Sequence, residues 1–337
     1  MNKLYHILFE ALTACLKQCI LCGAVLLLFG HTLVAQKKQI HKEHLPSANN
    51  HYIFKSYGVT SGISNKNVTC FEEDKIGFLW IGTHNGLNRF DGMQYSIFKY
   101  DPASIFSLPD NHINTLHGDG FGNLWVGTKG GLAYYETAKS RFKRITLNPM
   151  NVRDEVVKIE GGRKGELLMA TARSVYAVSW KDEASAPEVR MIVSVDESDE
   201  LKDIKLHEGK LYLATEYGAQ AFRYEHNGKT IEVTKLPTCP LVDKLFEVHS
   251  FAQSTDGQLL AATSGGIHSV NSSTACLELH PNSRNFRNVD IKHLHFLPNG
   301  EVFVVTNSGL YATDSKFSQI RVLKPNPLNP DAITSSA

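Results

Sequence analysis

Two histidines near the carboxyl end have a spacing that could support metal chemistry. His293 and His295 alternate on one predicted strand, so both imidazoles would face the same side of a sheet. No third ligand is spaced to join them, and we interpret both as structural histidines. The run from His41 to His44 lies in a polar segment and is interpreted as solvated. The sequence therefore predicts no metal site.

Motifs for covalent or cofactor chemistry are absent from the sequence. It contains no G-x-S-x-G nucleophile turn, no H-E-x-x-H zinc motif, no phosphate-binding loop and no dinucleotide fingerprint. No aspartate or glutamate is seen to recur at positions predicted to face a central channel, as a lyase or glycosidase would require. We therefore predict no enzymatic activity and no cofactor.

Composition and charge fit an ordinary globular chain. The 337 residues are 42% hydrophobic, and 35 basic side chains balance 34 acidic ones. No basic stripe is present, so no nucleic-acid partner is expected. Cys70, Cys239 and Cys276 are widely spaced, and we interpret them as buried or lone thiols rather than a disulfide framework.

The amino terminus has the pattern of an export signal. Lys3 and Lys17 precede an apolar run from Ile20 to Ala35, and a polar segment follows. This order predicts a signal peptide over residues 1–35, with an uncleaved membrane anchor as the alternative. Residues 36–50 are predicted to be a polar linker. The chain is accordingly expected to be periplasmic or extracytoplasmic.

A repeated sequence frame must supply the elements that position any functional residue. GFLWIGTHNGL, starting at Gly77, returns 45 residues later as GNLWVGTKGGL. Its apolar triplet favours a strand, the Gly-Thr pair ends that strand, and the following Gly-Leu begins a return strand. Each copy is a predicted β-hairpin. The repeat positions are Trp80, Gly82, Thr83 and Gly86, then Trp125, Gly127, Thr128 and Gly131.

Six copies of the frame occur, at intervals of 45, 43, 44, 48 and 43 residues. A glycine stands three residues before each marker, and a threonine stands three residues after it. A period of this length that contains only strand and turn signals predicts an all-β fold, a β-propeller of four-stranded antiparallel blades over residues 51–337. The markers are Trp80, Trp125, Leu168, Tyr212, Leu260 and Phe303.

The two ends of this region suggest how the ring closes. The segment from His51 to Tyr57 alternates apolar and polar residues and is predicted to be the outer strand of a last blade. The segment from Lys324 to Ser336 resembles the linker from Tyr100 to Asn111, which precedes the second blade. We therefore expect a seventh blade to be cut off and the chain to be truncated.

The LWIGTHNGL frame, the RFDG turn after it and the NPDAITSS linker resemble the two-component regulator propeller repeat. That repeat builds the extracytoplasmic sensor region of hybrid two-component system histidine kinases. The resemblance is close in the first two blades and looser in the other four. It implies further carboxyl-terminal sensor and kinase regions as partners. Whether the chain forms a homodimer is left open.

Strand alternation predicts one loop-rich face. If successive strands of a blade run in opposite directions, the turns between the second and third strands share a face with the linkers between blades. We expect a ligand there, beside the 101–111 linker, although each residue alone also suits an ordinary turn. The candidate ligand-binding residues are His84, Asn85, Lys129, Arg173, Glu216, Tyr217, Ser264 and Asn307.

Three hypotheses for function remain open at this point. The first is a ligand-sensing propeller that recognises a small molecule or oligosaccharide, by analogy with the resembled family. The second is a scaffold for protein–protein interaction that uses the same face. The third is a secreted propeller lyase or glycosidase.

Overall fold

The computed structural model describes residues 25–27, 55–146, 155–182, 185–227, 230–237 and 246–323. These residues form six four-stranded antiparallel blades arranged in a ring, with almost no helix. In each blade the four strands are hydrogen-bonded in sequence order, from an inner strand at the centre to an outer strand at the rim. The all-β propeller prediction is confirmed.

The first three blades follow a short two-stranded sheet. The strands are β1 (Val25–Leu27) and β2 (Lys55–Tyr57), then β3 (Val68–Glu73), β4 (Leu79–Thr83), β5 (Gly86–Phe90) and β6 (Tyr95–Phe98) in blade 1, β7 (Ile113–Gly118), β8 (Leu124–Thr128), β9 (Gly131–Glu136) and β10 (Arg141–Ile145) in blade 2, and β11 (Val156–Gly161), β12 (Glu166–Thr171), β13 (Ser174–Ser179) and β14 (Glu188–Ser194) in blade 3.

The remaining three blades have the same strand order. Their strands are β15 (Leu201–His207), β16 (Lys210–Thr215), β17 (Gly218–His226) and β18 (Ile231–Lys235) in blade 4, β19 (Val248–Gln253), β20 (Leu259–Thr263), β21 (Gly266–Val270) and β22 (Leu277–Leu279) in blade 5, and β23 (Ile291–Phe296), β24 (Glu301–Thr306), β25 (Gly309–Asp314) and β26 (Arg321–Leu323) in blade 6.

Helical structure is scarce in the described part of the chain. It consists there of single 3₁₀ turns at Val59–Ser61, Thr137–Lys139 and Arg284–Phe286. Within the same residues, no helix has the length and apolar character needed to cross a membrane.

The repeated threonine closes the hairpin between the second and third strands. Thr83 Oγ1 donates to the Gly86 carbonyl over 2.7 Å and accepts from the Asn85 N–H over 3.1 Å. Gly86 has φ of +123°, a backbone conformation that favours glycine. The same donor contact joins Thr128 to Gly131 and Thr263 to Gly266. The frame therefore encodes one turn that recurs around the ring.

The marker residues build the apolar core between blades. Trp80 and Trp125 are each 1% exposed, and each packs into a cluster that includes side chains of the following blade. Their indole N–H groups donate to Asp74 and Asp119, over 2.8 and 3.0 Å. Burial of these rings, with their only polar atoms paired, stabilises the contact between neighbouring sheets.

Each inner strand packs on the next, from β3 through β7, β11, β15 and β19 to β23. The inner strands β3 and β23, both fully described, are not packed on each other to the same extent. The predicted closing strand forms only in part, as β2, and it pairs antiparallel with β1 rather than with the outer strand of a blade. An alternating strand with a free edge can pair with any available strand, which sequence alternation alone does not specify.

Several predictions fall outside the described residues. These include the 36–50 linker, most of the 1–35 segment and the segment from Lys324 to Ser336. Among the cysteines, Cys70 is a buried thiol outside any disulfide, as predicted. Cys276 is disulfide-bonded, so its interpretation as a lone thiol is wrong. Wide spacing along the chain does not report distance in the folded state, because folding brings distant segments together.

Candidate ligand-binding site

A cavity of about 410 Å³ lies at the centre of the ring, and residues from all six inner strands line it. Each inner strand begins with a buried aliphatic residue, Val68 in blade 1 and Ile291 in blade 6. The next residue has no partner in the strand register, so every inner strand carries a β-bulge at the same position. The six bulged residues, all of which line the cavity, are Thr69, Asn114, Val157, Lys202, His249 and Lys292.

Acidic side chains recur just before the buried aliphatic residue in blades 3 to 6. The four are Glu155, Glu200, Glu247 and Asp290. Glu155 and Glu200 line the cavity directly, so the prediction that no acid recurs at a channel-facing position is wrong. A bulge shifts the two-residue alternation of side chains, and simple alternation therefore misassigns the side that these residues face.

The cavity wall carries a partly buried ion pair between blades 3 and 4. Lys158 Nζ lies 3.1 Å from Asp203 Oδ1, and Asp203 Oδ2 accepts from the Phe251 N–H of blade 5 over 2.9 Å. Burial opposes the charge on Lys158, but Asp203 and Glu160 outweigh it and raise the pKa of the amine. This ion pair joins three blades at the cavity wall.

Lys202 forms the polar wall in blade 4. Its Nζ lies 2.6 Å from Glu200 Oε2 and 3.5 Å from Glu216 Oε1. Burial lowers the pKa of this amine, yet the bond to Glu200 and the charges around it raise the pKa overall. Glu216, a predicted site residue, thereby contacts the cavity wall through Lys202.

Blades 5 and 6 meet at the cavity through Asp290. Its Oδ1 lies 2.7 Å from His249 Nε2, and its Oδ2 accepts from Lys292 over 2.9 Å and from Asn307 over 2.6 Å. Burial raises the pKa of Asp290, but the bonds from Lys292 and His249 hold it below its usual value. Burial and then Lys292 lower the pKa of His249, against the opposing pull of Glu247 and Asp290.

Two stacked imidazoles line the cavity on the side of blades 1 and 2. The rings of His84 and His112 lie 4.1 Å apart, centroid to centroid, with 26° between their planes. Asn67 Nδ2 is 3.4 Å from His84 Nδ1. Burial lowers the pKa of His112, and the charges of His84 and Lys129 lower it further.

The predicted site residues fall into two groups. His84 lines the cavity, while Glu216 and Asn307 contact charged residues at its wall. The other five occupy the turns without lining it: Asn85, Lys129, Arg173, Tyr217 and Ser264. Tyr217 is 52% exposed.

Most of the 101–111 linker packs away from the cavity. Arg144 on the outer strand β10 donates to the carbonyls of Ser104, Ser107 and Leu108. The Phe106 carbonyl accepts from the Phe142 N–H of the same strand. The linker reaches the turns only at its end, where the Asn111 carbonyl accepts from the Gly86 N–H over 2.7 Å.

Neither the bulged residues nor the acids that flank them were among the predicted site residues. The flanking acids could have been found by aligning the six inner strands on their buried aliphatic residue, since the position before it then shows the recurrent acids. Chemically, the wall offers ammonium, imidazole, amide and carboxylate groups that are largely paired with one another. Among the described residues, no group of three His, Cys, Asp or Glu side chains converges as a ready metal site.

Comparison with known proteins gives matches of three kinds. The family model of the two component regulator propeller matches residues 62–85 and 107–130. These two segments cover equivalent parts of blades 1 and 2, from the linker through the turn after the second strand. Over 64 residues the chain is 41% identical to histidine kinase P4 of Formosa agariphila, a match that spans 19% of this chain and 5% of the kinase.

Solved structures share the fold at low identity. The extracellular domain of a B. thetaiotaomicron protein assigned as a hybrid two-component system superposes with a TM-score of 0.67 at 19% identity, over 85% of this chain and 38% of that one. A second such domain, assigned as a one-component system, gives 0.61 at 18% identity over 80% and 34%. A catalytically inactive virginiamycin B lyase of Staphylococcus aureus gives 0.58 at 12% identity over 78% and 85%.

This chain therefore spans well under half of the kinase and of each of the two extracellular domains. At these identities the solved structures show the fold alone, and the repeat match carries the assignment. The chain is a β-propeller that contains the two-component regulator propeller repeat.

Proposed function

We propose that the chain is an extracytoplasmic ligand-sensing propeller of two-component signal transduction. Its ligand is a small polar molecule, derived from a carbohydrate, that binds in the central cavity. The observation that carries this proposal is the cavity itself, because all six inner strands reach it and many polar and charged side chains line it. A ligand there would contact several blades at once, so its binding would bias their relative packing.

The paired charges of the wall favour a hydroxyl-rich ligand over a strongly charged one. Lys158, Lys202 and Lys292 each already contact a carboxylate. A ligand with alternating donors and acceptors can bond to such groups without leaving a buried charge unpaired. The stacked imidazoles of His84 and His112 add a flat surface at one side.

The relatives support a sensory role. Two of them are extracellular domains of two-component or one-component systems, and a third is a histidine kinase. Kinase and output activities belong to the whole proteins, of which this chain covers a part. We propose that carboxyl-terminal sensor and kinase regions are its partners in signalling.

Calorimetric titration of the full chain against a panel of neutral and acidic oligosaccharides tests the proposal. We expect at least one to bind, and Lys202→Met to weaken that binding at least tenfold because Lys202 lines the cavity. Lys235→Met, at an exposed position on the outer strand β18, is the matched control. Absence of any binding, or equal binding by both variants, would contradict the proposal.

The virginiamycin B lyase among the structural neighbours makes turnover a necessary check. The sensor proposal expects each bound saccharide to be recovered unchanged after prolonged incubation. Mass spectrometry of the panel after incubation measures this directly. A new product that depends on the wild-type chain would replace the sensor proposal by the lyase or glycosidase hypothesis.

A further inference from the structure

His249 carries a buried nitrogen without a hydrogen-bond partner among the described residues. Its side chain is 1% exposed, and Nδ1 is the atom that remains unsatisfied. An unpaired buried polar atom is costly and calls for an explanation. This nitrogen belongs to the bulged residue of blade 5, at the cavity wall.

Asp290 determines which nitrogen of His249 bears the proton. Nε2 lies 2.7 Å from Asp290 Oδ1 and 3.1 Å from Lys292 Nζ, and it cannot donate to the first while accepting from the second. The ammonium already donates to Asp290 Oδ2 over 2.9 Å. The charge-assisted bond to the carboxylate therefore requires Nε2–H and leaves a lone pair on Nδ1.

A second carboxylate lies close to Nδ1. Nδ1 of His249 lies 3.6 Å from Glu247 Oε1, which is too long for a hydrogen bond and places two electron donors opposite each other. Two metal–ligand bonds of about 2.1 Å would span this separation at an angle of about 118°, close to tetrahedral. A carboxylate on the far nitrogen is also the usual support for a metal-binding imidazole.

The charges around this gap leave it negative. Four carboxylates and two ammonium groups face one another along this part of the wall, so their formal sum is −2. They are Glu200, Glu216, Glu247, Asp290, Lys202 and Lys292. A cation between His249 and Glu247 would offset this charge and satisfy Nδ1 at the same time.

We propose that His249 Nδ1 and Glu247 Oε1 bind a divalent transition-metal ion such as Zn²⁺ at the cavity wall. Asp290 orients the imidazole through Nε2, and water completes the coordination. This site lies at the wall of the same cavity as the proposed saccharide, but metal binding does not depend on saccharide binding. With two protein ligands, its affinity is expected to lie well below that of closed four-ligand zinc sites.

Nitrogen-15 NMR of the full chain without an affinity tag, titrated with ZnCl₂, tests the proposal. We expect a saturable shift of the His249 Nδ1 resonance, and at least tenfold weaker binding in Glu247→Gln. Glu232→Gln, at an exposed position on β18, is the control and should bind as the wild type does. Monitoring His249 itself separates this site from adventitious binding by the chain's other histidines.

Two results would overturn the metal site. One is an Nδ1 resonance that does not respond to Zn²⁺. The other is a Glu247→Gln variant that binds as tightly as the control. His249→Asn should abolish binding as well, and if that variant fails to fold, Glu247→Gln still decides because Glu247 is partly exposed.

Discussion

At the residue scale, side chains that recur in the sequence have recurring contacts. Thr83 is fully buried, and its hydroxyl both donates to Gly86 and accepts from Asn85. The threonine could be recognised from the sequence as a marker, but its two hydrogen bonds could not, because they depend on the turn geometry. A threonine without a structural role in the turn would lack these two hydrogen bonds.

Replacing this hydroxyl by a methyl group should destabilise the hairpin. We expect Thr83→Val to lower the free energy of unfolding by about 1–3 kcal/mol, because a buried carbonyl and a partly buried N–H lose their partner. Urea denaturation followed by tryptophan fluorescence measures the change. The control, Thr234→Val, lies at an exposed position on β18 and should cost less than about 0.5 kcal/mol. Equal losses in the two variants would contradict the assigned role.

His295 on β23 predicts a pH dependence of stability. Burial lowers its pKa from the ordinary 6.5 to about 4, and its Nε2 has no partner among the described residues. Between pH 6.5 and about pH 4, the imidazole of His295 binds a proton in the unfolded chain but stays neutral in the folded chain. Stability is therefore fully present above pH 6.5 and is lost as the pH falls toward 4, by up to about 3 kcal/mol.

The His295→Leu variant isolates this contribution from the carboxylates. Unfolding free energies of wild type and variant, measured from pH 7.5 to pH 4.5, should diverge in slope, with the wild type losing more stability on acidification. Parallel pH profiles for the two proteins would show that His295 titrates alike in the folded and unfolded chain.

At the element scale, the small residues of the second strands set the distance between blades. A Cβ on Gly82 would clash with Cys70 Sγ and would lie 2.8 Å from Ile113 Cγ2 of the next blade. Gly127 has the equivalent contacts with Thr115 and Val156. The preference for small residues here was predictable from the six aligned copies. The bulge beside it was not, because a register shift leaves no mark in a single strand.

Gly82→Ala should therefore force blades 1 and 2 apart. We expect a loss of about 1–3 kcal/mol in the free energy of unfolding, the usual cost of overpacking. Gly58→Ala is the control, since its backbone φ of −108° suits any residue and the nearest atom would be 3.9 Å away. Thermal or urea denaturation compares the two. A Gly82→Ala protein as stable as Gly58→Ala would mean that the blades can separate without cost.

At the scale of the whole molecule, the sequence predicts the architecture better than the site. Six copies of one frame specify six similar sheets, because each hairpin is encoded locally in its Gly, Thr and marker residues. The cavity is a property of the assembled ring. Asp290 contacts His249 of another blade, and the two residues are 41 positions apart in the sequence. Lys158 and Asp203 likewise form a contact between two blades. Such contacts appear only when the bulges and the packing of inner strands are known.

The turn residues also show that the sequence predicts the fold better than the residues that line the cavity. The predicted face was chosen from strand direction, and its residues do lie in the expected turns. Only His84 among them lines the cavity, whereas the bulged residues near the starts of all six inner strands line it. The pairing of β2 with β1 could not be predicted either, because the alternation of side chains in a strand does not specify its partner strand.

Hydrogen–deuterium exchange of the full chain with the tightest-binding saccharide of the panel tests the central claim most directly. Peptides that contain the starts of β15, β19 and β23 should gain protection, because their bulged residues line the cavity. Peptides from the outer strands β10 and β18 should exchange as in the free protein. Protection confined to the outer strands, with none at the inner strands, would contradict a ligand site in the central cavity.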